Sequence, residues 1–166
     1  MSFKVGENVV YISGEICLIE DIVKRSFDGV NELEYYKLSP INTAKSTYYI
    51  PCGNYQTKMR HLLTKDEILE LIEEMPHSDA DWCEDKKERK TLFQSVLKSD
   101  DYHKIIKMMH SLYIHRESQL EQGKKLSVSD ERAMNDAEHL VYQEFAFVLG
   151  IEEREVEGFI EERLRQ

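Results

Sequence analysis

The feature that most constrains this chain is a change of hydrophobic period near Thr64. Before it, apolar residues alternate as they do in strands. After it, they recur at helical spacing. A strand hides every second side chain and a helix hides those three and four apart, so the two stretches bury their apolar faces in different ways. The 166-residue chain therefore reads as two domains, 1–63 and 64–166, in an α+β layout: a small antiparallel β-module followed by a helical bundle.

The first domain opens on Phe3-Lys4-Val5-Gly6-Glu7-Asn8-Val9-Val10-Tyr11, a glycine turn leading into β-branched and aromatic residues. Strands are expected at Val9–Ile12, Ile16–Val23, Glu34–Leu38 and Ser46–Ile50, with a short fifth near Lys58–Arg60. Ser13-Gly14 and Ser26-Phe27-Asp28-Gly29 supply turns, and Pro40 and Pro51 close two of the strands. Five short strands with tight turns suggest a twisted, barrel-like sheet.

In the second domain Thr64-Lys65-Asp66-Glu67 forms a capping box, followed by Ile68, Leu69, Leu71 and Ile72. Pro76-His77-Ser78 ends that helix. A second helix is expected over Asp85–Leu97. A third, capped by Ser99-Asp100-Asp101, carries Ile105, Ile106, Met109 and Leu112. Ser127 or Ser129 caps a fourth, with Gly150 at its C-terminal end, and a last helix starts near Glu152. The bundle has four or five helices.

Net charge is −10, and residues 1–66 are neutral, so the whole excess lies in the second half. That argues against bulk electrostatic binding of nucleic acid, which draws on a basic surface to release counterions; any DNA contact is local. Cys17, Cys52 and Cys83 form no CxxC pair and read as reduced thiols of a cytoplasmic protein, outside zinc or disulfide roles. The N-terminus has no apolar signal region, and no stretch approaches membrane-spanning length. The histidines, His61, His77, His103, His110, His115 and His139, lack metal-site spacing, and no phosphate-binding glycine loop or nucleophile elbow occurs. The glutamates read as solvated helix faces. The expectation is a binding protein with no catalytic residue, cofactor or metal.

FKVGENVVY, Ile16–Ile22, Glu34-Tyr35-Tyr36-Lys37-Leu38, Tyr49-Ile50-Pro51 and Met59-Arg60 follow one another in an order that resembles the CarD/CdnL family of bacterial RNA polymerase-binding transcription regulators. The likeness continues through Asp81-Trp82, Leu97-Lys98-Ser99-Asp100-Asp101, Lys125-Leu126-Ser127 and Phe145–Ile151, and it looks closest to a clostridial-type branch. It implies a Tudor-like fold for the β-module, which would dock on the polymerase β subunit by strand-to-strand pairing. By position the docking residues would be Lys24, Arg25 and Phe27, with neighbouring Ser26, and Tyr49 on the fourth strand. Read without the resemblance, Phe27 and Tyr49 are ordinary sheet packing and Arg25 is a solvated turn residue.

The resemblance further implies that the helical half contacts promoter DNA, with a tryptophan wedged into the minor groove at the upstream edge of the melted −10 region. Trp82, the only tryptophan, stands at the matching position; read without the resemblance it is a helix-junction core residue. Lys86, Lys87, Arg89 and Lys90, interleaved with Glu84, Asp85 and Glu88, are candidate phosphate ligands, and Lys124 and Lys125 are the remaining ones. DNA affinity is then weak without polymerase, and tethering raises the local concentration of the DNA-binding surface. The alternative is a protein–protein adaptor whose acidic helical domain binds another protein and not DNA.

Overall fold

A computed structural model describes residues 3–12, 14–43, 46–55, 58–77 and 82–165. Ser13, Ser78 and Asp81, invoked above, lie outside the described residues. The chain divides into two compact units, Met1–Leu62 and Leu63–Gln166.

The first unit is an antiparallel sheet of β1 (Asn8–Tyr11), β2 (Ile16–Arg25), β3 (Leu33–Pro40), β4 (Tyr48–Pro51) and β5 (Met59–His61). The strand order is β4-β3-β2-β1-β5. The sheet is open: β4 and β5 form its two edges and do not pair, so the expected barrel does not close by hydrogen bonding among the described residues. Its inner face carries Val9, Cys17, Ile19, Tyr36, Leu38, Ile50 and Met59, joined by Phe3. A bulge between Ile19 and Asp21 breaks the register of β2 against β3. Beyond it β2 leaves the core, and Asp21, Ile22, Lys24 and Arg25 are exposed.

Pro40 lies inside β3, where the sequence suggested a stop. It sits opposite Cys17, two residues before Ile19. Ile19 exchanges bonds with Gly6 and Glu7 on the β1 side. Successive residues of a strand face opposite neighbours, so residues two apart face the same one; Cys17 therefore also faces β1, and the N–H that Pro40 lacks leaves no bond to β2 unmade. Pro51 is likewise accommodated, because β4 is an edge strand.

The second unit holds α1 (Lys65–Glu74), α2 (Lys86–Lys98), α3 (Tyr102–Glu121), α4 (Val128–Leu149) and α5 (Val156–Leu164). The capping box at Thr64 forms in full. Asp85, Asp101 and Ser127 cap α2, α3 and α4 through their side chains, so Ser127 takes the role and Ser129 does not. Gly150 ends α4 at φ 72°, a left-handed conformation that costs glycine little. Short 3-10 turns follow α1 at Met75–His77 and precede α5 at Glu153–Glu155. One core runs through the unit, from Ile68 and Ile72 through Ile105, Ile106 and Leu112 to Val141 and Phe145. A buried carboxylate, Glu144, accepts from the Leu63 N–H and the Tyr102 hydroxyl, both at 2.7 Å. It thereby ties the start of the unit to α3 and α4.

Candidate functional site

Two places concentrate the residues singled out in the sequence, one in each unit. The first is the outer end of β2. β1 pairs with Ile16–Leu18, and Gly6 and Glu7 carry the ladder on to Ile19. Past Ile19 no strand lies on that side of β2 among the described residues. The direction of the free backbone groups follows from the ladder. The Glu34 carbonyl accepts from the Cys52 N–H at 3.0 Å, so Glu34 faces β4. Lys24, paired across from Glu34, and Ile22, paired across from Tyr36, then turn their N–H and C=O groups away from β3.

Neighbouring side chains occupy two of these groups. The Ile22 N–H donates to Asp21 Oδ1 at 2.8 Å, and Arg25 Nη1 donates to the Lys24 carbonyl at 3.0 Å. An open strand edge is thus capped by its own charged residues, which discourages adventitious pairing.

Phe27 and Tyr49 meet beside this edge. Phe27 is 62% exposed; its ring lies edge-on to Tyr35 with centroids 5.0 Å apart and is tilted against Tyr49 at 5.4 Å. Tyr36, Leu38 and Ile50 point into the core, so Tyr35 and Tyr49 belong to the outer face. Val30, 85% exposed, and Leu33, 52% exposed, extend the apolar surface along the β2–β3 hairpin. The sequence reading passed over them, although apolar residues flanking an Asp-Gly turn are a signal in themselves. Asp28 shapes that turn by accepting from the N–H groups of Val30 and Asn31 at 2.9 and 2.8 Å, and these bonds lower its pKa to about 2.

The second place surrounds Trp82. The indole is half-buried and packs against the helical core. The His115 ring stacks on it, with centroids 3.8 Å apart and planes 13° from parallel. The Arg89 guanidinium lies 4.6 Å from the ring centroid. Arg89 was expected among the phosphate ligands, and this is corrected by its place in the fold. It is only 7% exposed, and its Nε and Nη2 donate to the two carboxylate oxygens of Asp130 at 2.8 and 2.9 Å. Nη1 donates to the Cys83 carbonyl at 2.9 Å, and Asp130 also accepts from the Ser127 hydroxyl at 2.8 Å. Arg89 is therefore an internal post that joins α2 to the cap of α4 beneath Trp82. Its spacing carried the signal: Phe93 and Val96 lie four and seven residues on, along the inward face of α2.

Lys86, Lys87 and Lys90 are exposed on α2 and make no ion pair among the described residues. Lys124 and Lys125 are exposed in the loop before Ser127, whose side chain the Arg89–Asp130 pair engages. His115 escaped the sequence reading because its role depends on a ring more than thirty residues away.

Among the described residues no three His, Cys, Asp or Glu side chains group as metal ligands. Burial pushes the Cys17 thiol up to about 12 and raises that of Cys52, so neither is an activated nucleophile. No helix among the described residues is long and apolar enough to cross a membrane.

The chain thus joins a β-module with an open strand end to a separate helical unit. Residues 3–63 match the CarD-like/TRCF RID domain, and residues 67–161 match the C-terminal domain of CarD. The chain belongs to the CarD-like family, whose domains point to an RNA polymerase-interacting transcription regulator and whose members are non-enzymatic. A search of curated proteins finds no match.

Proposed function

We propose that this chain docks on the β subunit of RNA polymerase through the outer end of β2 and stabilises the open promoter complex through Trp82. It acts in the cytoplasm on polymerase and promoter DNA, and it is not an enzyme. The observation that carries the docking half is the outward-facing backbone of Ile22 and Lys24 beside the exposed Phe27–Tyr35–Tyr49 cluster. A partner strand laid along this edge takes up main-chain hydrogen bonds, and the aromatic cluster with Lys24 and Arg25 supplies side-chain selectivity. Docking displaces the Asp21 and Arg25 caps, exchanging one set of hydrogen bonds for another.

In the DNA half, Trp82 is the wedge, and Lys86, Lys87, Lys90, Lys124 and Lys125 contact phosphates around it. His115 and Arg89 hold the indole in a fixed orientation, which limits the entropy lost on insertion. A wedge shifts the closed-to-open equilibrium only through greater affinity for the open form. The test is open-complex lifetime with wild-type protein and with Trp82→Ala, alongside capture of the β-subunit lobe by wild-type protein and by Arg25→Glu. A folded Trp82→Ala protein that still binds polymerase is expected to lose the lifetime extension; an unchanged lifetime sinks the wedge. Capture unaffected by Arg25→Glu removes Arg25 from the docking surface.

One observation favours the adaptor reading. Asp130 matches the charge of Arg89, leaving fewer free cations around Trp82 in a half that carries the whole acidic excess. The adaptor shows no promoter association even with polymerase present, whereas phosphate contacts make the DNA-bound form steeply salt-sensitive.

A further inference from the structure

The helical unit contains a cavity that neither docking nor DNA contact uses. It lies among α3, α4, α5 and the 3-10 turn after α1, with a volume of about 260 Å³. Ile106, Met109, Met134 and Ile160 line it with apolar surface. Glu138 from α4 and Glu157 and Glu161 from α5 stand in its wall with one guanidinium, Arg116, and one imidazole, His110. Glu157 and Glu161 are one helical turn apart, and so share a face. Arg116 lies 5.6 Å from the ring centroid of Tyr113, which also lines the cavity.

No hydrogen bond or ion-pair contact holds Glu138, Glu157 or Glu161 among the described residues. Glu138 is half-buried, and burial and the charge of Glu157 raise its pKa while Arg116 lowers it. The cavity thus holds an under-compensated negative charge beside an apolar floor.

We propose that this cavity binds a small organic cation, its apolar body on Met109, Met134 and Ile160 and its ammonium or guanidinium group at Glu138 and Glu157. Each alternative chemistry meets an obstacle. Anions face three carboxylates. A bare metal ion finds no group of three ligating side chains among the described residues. A neutral apolar ligand further desolvates Glu138 without offsetting its charge. A cation offsets it, and the Tyr142 ring in the wall adds a favourable face. Methionine side chains adapt to ligand shape. The volume falls just below the range of about 300–1,000 Å³ typical of ligand pockets, which fits a compact molecule.

The test uses the full chain with methyl-labelled methionines, titrated by NMR with 2-phenylethylammonium, 2-phenylethanol and 3-phenylpropionate. The ammonium is expected to shift the Met109 and Met134 methyls saturably, with the alcohol weaker by about tenfold or more and the carboxylate not saturating. Glu138→Gln, which keeps the shape and removes the charge, is expected to weaken ammonium binding by about tenfold, while Glu131→Gln, outside the cavity, leaves it unchanged. Equal binding of ammonium and alcohol overturns the proposal, and so does no saturation by about 20 mM. An equal effect of Glu138→Gln and Glu131→Gln reduces the preference to net charge and also overturns it. If Glu138→Gln loses its amide dispersion, Glu157→Gln at an exposed position decides in its place.

Discussion

The outer end of β2 and the surroundings of Trp82 are both rich in aromatic and charged residues, but they relate to the fold in opposite ways. Phe27, Tyr35 and Tyr49 pack on one another over the outer face of the sheet, away from the Leu38 and Ile50 side that forms the core. Trp82 rests on Arg89, and Arg89 on Asp130, both inside the helical unit. In the proposed roles, a residue at the first place can be removed for its effect on recognition alone, whereas at the second recognition and stability would share the same atoms.

The largest effect that sharpens this contrast comes from Asp130→Ala. It leaves the Arg89 guanidinium buried beside a vacated partner and removes the acceptor for the Ser127 hydroxyl. Breaking one side of a buried pair costs about 3–5 kcal/mol, and denaturant unfolding should register a loss of that size. The Lys37–Glu20 pair of the β-module is the control. Its 3.6 Å contact lies in solvent, where such pairs contribute about 0–1 kcal/mol, so Glu20→Ala should barely move the midpoint. A comparable loss from both would break the distinction.

Next in size is the pair Trp82→Ala and Phe27→Ala. Trp82 is half-buried against the helical core, and its truncation should cost about 1–3 kcal/mol, below the range for fully buried aromatics. Phe27→Ala should change stability by no more than about 0.5 kcal/mol, as at other surface sites away from the core. Yet it should weaken capture of the polymerase β-lobe by tenfold or more, about 1.4 kcal/mol. Thermal melts and titration of the lobe, run on both variants, separate the two effects. If Phe27→Ala unfolds the β-module and leaves docking of the remaining folded fraction intact, the roles assigned to the two regions are reversed.

The sequence made the local features legible and left the long-range ones hidden. The Thr64–Glu67 box and the Gly150 cap are closed by residues within four positions of one another, so spacing alone exposes them. The extent of β2 was less visible: its last residues, Lys24 and Arg25, are polar and exposed and are held by pairing to β3 rather than by burial. Arg89 looked like one cation among the lysines of α2, because its partner lies 41 residues away. Glu144 looked like surface charge for the same reason, since Leu63 is 81 residues from it. Charge reads as solvation until the fold supplies a partner, and that is where sequence periodicity stops deciding a residue's role.

The smallest expected effect concerns the turn that presents Phe27. Asp28 accepts from the Asn31 and Val30 N–H groups, and these bonds, the first named being the stronger cause, lower its pKa from 3.8 to about 2. Because the folded value lies below the unfolded one, the turn is favoured at pH above about 4 and loses that support as pH falls toward about 2. The carboxyl is solvent-exposed, so the change should stay local to residues 26–31 and leave the core packing of Leu38 and Ile50 intact. NMR of the full chain should show the Val30 and Asn31 amides titrating with a midpoint near 2, and Asp28→Ala should abolish that titration and broaden the Phe27 ring signals at neutral pH. A midpoint near 4, the ordinary carboxyl value, would mean that Asp28 does not hold the turn in solution. The order of the hairpin, and with it the presentation of Phe27, would then rest on the β2–β3 pairing alone.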